Sequence, residues 1–129
     1  MTTPAGTTNA TVVLYTGGGG VSFFGRAVPG ELLARGIRTV QAAWATQWEV
    51  SATARGALAA ACRPATILRW AFAGPHGGNR AAGFSTRGHS GGSGAIAYAL
   101  AHYGLEDTLD FAMFSAGQPF GRIDYGCNP

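Results

Sequence analysis

Thr11-Val12-Val13-Leu14-Tyr15 is a short β-branched and apolar run that stops at Thr16 and four consecutive glycines, Gly17 to Gly20. Such a run reads as a buried strand that passes directly into a loop. Beyond the glycines, helix and strand patterns alternate. Pro29-Gly30 precedes Glu31-Leu32-Leu33-Ala34-Arg35 with Gly36 behind it, which predicts a short helix with an acid in its first turn and a glycine stop. Residues 37–43 form a second apolar strand pattern. Residues 51–61 are alanine-rich but broken by Gly56, and Pro64 is placed to open a helix over 65–73 with Ile67, Leu68, Ala71 and Phe72 on one face.

Gly74-Pro75-His76-Gly77-Gly78-Asn79 is a loop by composition. Residues 82–86 are a poor strand and 92–103 a helix with Ile96, Ala99, Leu100 and Tyr103 on one side; 109–114 are a last strand and 115–129 an irregular tail. Strands alternating with helices imply right-handed crossovers. The expected fold is therefore α/β, a three-layer α/β/α arrangement around a mostly parallel sheet of four strands. No repeat or heptad competes with it.

The 129 residues support one domain, 1–129. Hydrophobic residues make up 47%, enough for a core, although 24 alanines thin it because each buries little area. The net charge of +3 rests on nine arginines and no lysine, and these are spread without a cluster. Nucleic acid, which requires a concentrated basic stripe, is not an expected partner. No apolar run approaches the roughly 20 residues of a membrane span. Residues 1–10 lack the charged start and apolar middle of a signal peptide. Cys62 and Cys127 are too few for a disulfide framework and too far apart for a metal knuckle. One bridge and two buried free thiols both remain open, and no metal or cofactor is expected.

The sharpest chemical feature is Gly88-His89-Ser90-Gly91-Gly92, between a candidate strand and an alanine-rich helix. Gly-x-Ser-x-Gly in that context matches a nucleophile elbow, where the serine sits on a turn too tight for side chains two positions away. The next helix aims its N-terminus, and the Gly91 amide, at the same point. Gly17 to Gly20 ends the first strand, so both loops belong to one rim of a parallel sheet. A glycine loop there can turn further amides toward a carbonyl oxygen. The rival use, a dinucleotide cradle, lacks the sixth-position glycine and an acid after the second strand, where Trp44 stands instead.

On these segments, with Cys62-Arg63-Pro64-Ala65-Thr66 and Tyr98 through Gly104, the chain resembles an esterase- or lipase-like α/β-hydrolase over most of its length. The resemblance implies a partial α/β-hydrolase core holding the third to sixth of eight strands. It implies Ser90 as nucleophile, Gly91 as an oxyanion amide, and Gly18 with Gly19 as the upstream oxyanion loop. Members of the family are often exported, while the sequence itself leaves the compartment open.

The family orders its triad as serine, acid, histidine, and no histidine follows His102. His89 adjoins the serine, His102 lies about 18 Å of helical rise away, and His76 precedes the elbow strand toward the opposite rim. Each reads as a solvated or packing histidine. Asp124 has no histidine to orient, and Glu106, Asp107 and Asp110 read as solvated. Arg87, in a strand that should be nearly continuous in apolar residues, reads as a misfit or a frayed end, with an anion clamp at the rim as the alternative. Trp44 and Trp48, with Phe23 and Phe24, are candidates to wall an acyl pocket, and Trp70 is expected in the core.

The leading expectation is thus a serine hydrolase domain acting on small-molecule carboxylic esters through an acyl-enzyme at Ser90. Its activity would be weak because the triad base and acid are missing. A non-catalytic scaffold of the same fold, or a nucleotide-binding doubly wound domain, are the alternatives. Sheet edges left exposed imply self-association.

Overall fold

The computed structural model describes residues 1–50 and 53–117. Its elements are β1 (Ala10–Tyr15), α1 (Ala27–Ala34), β2 (Ile37–Gln41), α2 (Gly56–Ala60), α3 (Cys62–Ala73), β3 (Gly83–His89), α4 (Gly91–Tyr103) and β4 (Phe111–Ser115). The four strands form one sheet in the order β2-β1-β3-β4, with every pair parallel. From β1 the chain steps outward to β2, then returns across β1 to β3 and continues to β4. With right-handed crossovers, that reversal places α1 on one face of the sheet and α3 and α4 on the other. The expected three-layer α/β architecture is the one observed.

The two faces are unequal. Pairing of Thr11, Val13 and Tyr15 with Phe84, Thr86 and Gly88 turns these residues to one side of the sheet. There Val13, Tyr15, Val40 and Phe84 pack with Leu68 and Ala71 of α3, Ile96 and Ala99 of α4, and Leu105. On the other side, Ser85 and Arg87 of β3 lie beside Phe111 and Met113 of β4. Phe111 is 63% and Met113 43% exposed, so this part of the face carries little cover.

That asymmetry corrects the reading of the elbow strand. β3 is neither frayed nor short, running on to His89, and its burial alternates, with Phe84, Thr86 and Gly88 covered and Ser85 and Arg87 turned to the more open side. Arg87 sits within the strand and sets its guanidinium 5.9 Å from the Phe24 ring centroid.

Other boundaries move for local reasons. α1 begins at Ala27 and α3 at Cys62, so Pro29 and Pro64 are third residues of their helices rather than openers. Proline is tolerated there because the first-turn N–H groups have no intrahelical acceptor. Glu31 consequently falls outside the first turn. β2 ends at Gln41, and β4 starts at Phe111. Leu109 instead closes a turn by donating its N–H to Leu105 O.

Three single-residue expectations change. Trp70, expected in the core, is 53% exposed, since it lies on the side of α3 away from Leu68 and Ala71. Cys62 is exposed rather than buried. Asp110 is surface-exposed but not merely solvated, because its Oδ2 accepts the Phe84 N–H at 2.7 Å at the start of β3. Cys127, Arg122 and Asp124 lie outside the described residues. No helix among the described residues is long and apolar enough to cross a membrane.

Thr39 Oγ1 is buried without a hydrogen-bond partner, whereas two other hydroxyls that enter the core are paired across elements. The Tyr15 hydroxyl donates to Pro64 O at 2.9 Å, tying the end of β1 to the first turn of α3, and Thr86 Oγ1 donates to Val13 O at 3.0 Å. Burial pushes the Tyr15 hydroxyl well above the usual tyrosine range. Tyr15→Phe leaves the Pro64 carbonyl without that donor and is expected to destabilise by about 1–3 kcal/mol in urea unfolding. The pH dependence has a definite sign. A phenol held neutral in the fold contributes stability below the unfolded value of about 10, and this is lost as pH rises above it and the unfolded chain ionises. The difference between the unmodified chain and Tyr15→Phe is therefore expected to narrow above that pH.

Candidate functional site

β1 and β3 are neighbours whose onward connections leave the sheet in opposite directions, so a crevice opens between their carboxyl ends. In open α/β sheets this switch point is where ligands bind. The two segments that meet there are the glycine loop and Gly88-His89-Ser90-Gly91-Gly92.

Ser90 joins β3 to α4 at φ 52°, ψ −120°. A non-glycine residue held in that region costs about 1–3 kcal/mol and persists only where surrounding contacts impose it. Those contacts are backbone to backbone. A Cβ on Gly88 would come within 2.5 Å of Gly92 C and O, and one on Gly92 within 2.2 Å of Tyr15 O. The first turn of α4 therefore presses on the end of β1, and only glycine permits it. Ser90 is the N-cap of α4, yet its side chain makes no capping bond, so the hydroxyl is not committed to the helix.

The glycine loop is a tight turn in which Gly20 N–H donates to Gly17 O at 3.2 Å and Gly18 takes φ 57°. This leaves the Gly18 and Gly19 amides outside the turn's own hydrogen bond. The loop abuts the elbow. A Cβ on Gly17 would lie 3.1 Å from Ser90 Cβ, and one on Gly91 would fall 1.9 Å from Gly18 O. Gly17, Gly18, Ser90 and Gly91 are thus brought together, as their shared rim predicts. The loop does not open a helix, because residues 21–26 intervene before α1. The helix N-terminus beside the glycines is that of α4, not that of the helix following the loop in sequence, unlike a dinucleotide-binding turn.

Trp44 and Trp48 serve this loop from the side. Their backbone N–H groups donate to Gly20 O and Gly19 O, both at 2.9 Å. Trp48 is 5% exposed in a small second core with Ala60, Ala61 and Ala95. That burial makes it a strut rather than a pocket wall. Trp44 is half-buried and stacks on Tyr15 with ring centroids 6.4 Å apart. Phe23 is exposed, while Phe24 donates its N–H to Gln41 Oε1.

None of the three histidines is turned to Ser90. His76 is buried on the opposite rim, with Nε2 2.9 Å from Asn79 O and Nδ1 3.1 Å from Thr11 Oγ1. A carbonyl only accepts, so Nε2 carries the hydrogen and Nδ1 accepts from the threonine. His102 is exposed against the Tyr98 ring. His89 is exposed, with Nδ1 3.4 Å from Ser115 Oγ. An open cleft of about 530 Å³, lined by Arg55, Leu58, Cys62, His102 and Tyr103 among others, lies at the far end of α4 from Ser90. Among the described residues no three His, Cys, Asp or Glu side chains are grouped as a metal ion requires.

Sequence reasoning missed Ser93 and Ser115. Ser93 Oγ donates to Ser115 O and accepts from Ser115 N–H, each at 3.2 Å, and Ser115 O also accepts the Ser90 N–H at 2.8 Å. A signal was present for the first of them. Position 93 lies one turn before Ile96 and Ala97 on the buried side of α4, and a hydroxyl buried there needs a partner.

No family model matches this chain, and no curated protein or solved structure matches it either. The close approach at the elbow is open to direct test by urea unfolding. Gly92→Ala forces the backbone of β1 and α4 apart and is expected to cost about 1–3 kcal/mol or more. Gly30→Ala in α1, where a Cβ meets nothing within 4 Å, is the matched control. It is expected to gain about 0.5–1 kcal/mol from the better helix former.

Proposed function

We propose that this chain is the nucleophile-bearing core of a serine hydrolase of α/β-hydrolase type, acting on small carboxylic esters through an acyl-enzyme at Ser90. The observation that carries the reading is the strained backbone of Ser90 at the strand-to-helix turn, with its hydroxyl outside the helix cap and a glycine turn against it. The all-parallel sheet with a switch point at the elbow strand also accords with the partial hydrolase core implied by the resemblance.

In this reading the Ser90 hydroxyl adds to the ester carbonyl, forming the C–O bond of a tetrahedral intermediate. The Gly91 amide opens α4 and has no intrahelical acceptor. With the Gly18 and Gly19 amides it would donate to the developing oxyanion. Collapse expels the alcohol, and water then releases the acid from Ser90. Trp44 and Phe23 are the apolar side chains beside the glycine loop that an acyl group could use. The Ser90 proton passes through water to the departing alkoxide, because none of the three histidines is placed to relay it. Acylation is accordingly slow, supported by the oxyanion donors and binding alone. Neighbouring copies associating through the exposed side of β4 form part of the same proposal.

A fluorophosphonate probe tests this reading. Covalent labelling of the folded chain is expected, located at Ser90 by peptide mapping and abolished in Ser90→Ala. A folded sample that takes up no label overturns the hydrolase reading and favours a scaffold that keeps the elbow without turnover. Thermal stabilisation by NAD or ATP would instead favour nucleotide binding.

A further inference from the structure

Ser93 is 1% exposed and presents its hydroxyl to both backbone groups of Ser115, the last residue of β4. Ser115 O in turn accepts the Ser90 N–H, and Ser93 N–H donates back to Ser90 O at 2.9 Å. Ser115 Oγ donates to Gly88 O at 2.9 Å, on the other side of the elbow. Gly117 closes over this arrangement, where a Cβ would fall 2.2 Å from that of Ser93. Both polar groups of the Ser90 backbone are therefore held by Ser93 and Ser115, and the Ser93 hydroxyl fixes the end of β4 to the first turn of α4.

We infer that Ser93 is a positioning residue, holding the strained Ser90 backbone through Ser115 so that the Ser90 hydroxyl faces the crevice. This rests on the proposed hydrolase reading for its catalytic meaning, although the positioning can be measured without it. Ser93 touches no reacting atom. Its hydroxyl donates to Ser115 O and accepts from Ser115 N–H, so both of its bonds go to the β4 backbone rather than to the Ser90 side chain.

The test compares three variants of the whole chain. Ser93→Ala deletes the hydroxyl, Ser93→Cys keeps the shape with a somewhat larger atom that is only a weak donor and acceptor, and Thr86→Val removes a different buried hydroxyl, the one bonded to Val13 O. All three lower thermal stability. Well below the melting transition, Ser93→Ala is expected to slow fluorophosphonate labelling about tenfold or more, with Ser93→Cys between it and the unmodified chain. Thr86→Val is expected to label within about twofold of the unmodified chain, because a loss of stability alone does not move the reacting geometry. Hydrogen exchange at the Ser90 amide, which needs no probe, is expected to accelerate in both Ser93 variants and not in Thr86→Val. Ser93 variants that match Thr86→Val in labelling and in Ser90 exchange overturn the inference. If the unmodified chain takes no label, the hydrolase reading falls, and the positioning role stands or falls on the exchange rates alone.

Discussion

Everything at the crevice depends on how closely the first turn of α4 approaches the end of β1. Gly92 lies where a side chain would overlap Tyr15 O and Thr16 O, and Gly91 where one would overlap Gly18 O. Contact at that distance draws the β3-to-α4 connection into a turn too sharp for relaxed backbone, and Ser90 absorbs the bend in its positive φ. The glycine turn after β1 is then pressed against the same point. A helix displaced by the radius of a methyl group would separate the two loops and relieve Ser90 at once. The geometry of the crevice and the absence of side chains at these positions are one fact.

Around that contact the molecule is built with two kinds of support. Apolar packing is concentrated on the α3 and α4 side, where Leu68, Ile96 and Phe84 are fully buried. Polar links bind the loops. Trp44 and Trp48 secure the glycine turn through their backbone N–H groups, and Thr16 Oγ1 donates to Ser22 O at 2.6 Å just beyond it. With so many alanines the core supplies little area per residue. Hydrogen bonds between loop backbone and anchored groups therefore carry much of the burden of holding the rim in register.

How far this is legible in the residues depends on what each pattern reports. β1 and its glycines, the elbow and the buried faces of α3 and α4 announce themselves because periodicity and turn chemistry are local. The proline positions are off by two residues, since a first turn tolerates proline at several places and the pattern does not choose among them. The tryptophans show a different failure. Trp48 is buried and Trp70 exposed, the reverse of what a pocket wall and a core residue require. For Trp70 the helical period that groups Leu68 with Ala71 already assigns the outer side, and geometry outranks hydrophobicity there. Trp48 lies in an irregular segment where no period exists to read. Arg87 is obscure because the uneven cover of the two sheet faces is a tertiary property. Ser115 is equally hidden, since its partners lie 22 and 27 residues away.

The sheet order has a consequence for how the chain acquires its crevice. The central pair, β1 and β3, is separated by the whole of α1, β2, α2 and α3, and the bond from Thr86 to Val13 spans 73 residues. Closing so long a loop is slow relative to forming the helices within it. β1 with α1 and β2, or α4 with β4, can gather early as local units, but neither contains both sides of the crevice. The bend at Ser90 has no reason to exist until the long closure is made, so it arises late and all at once.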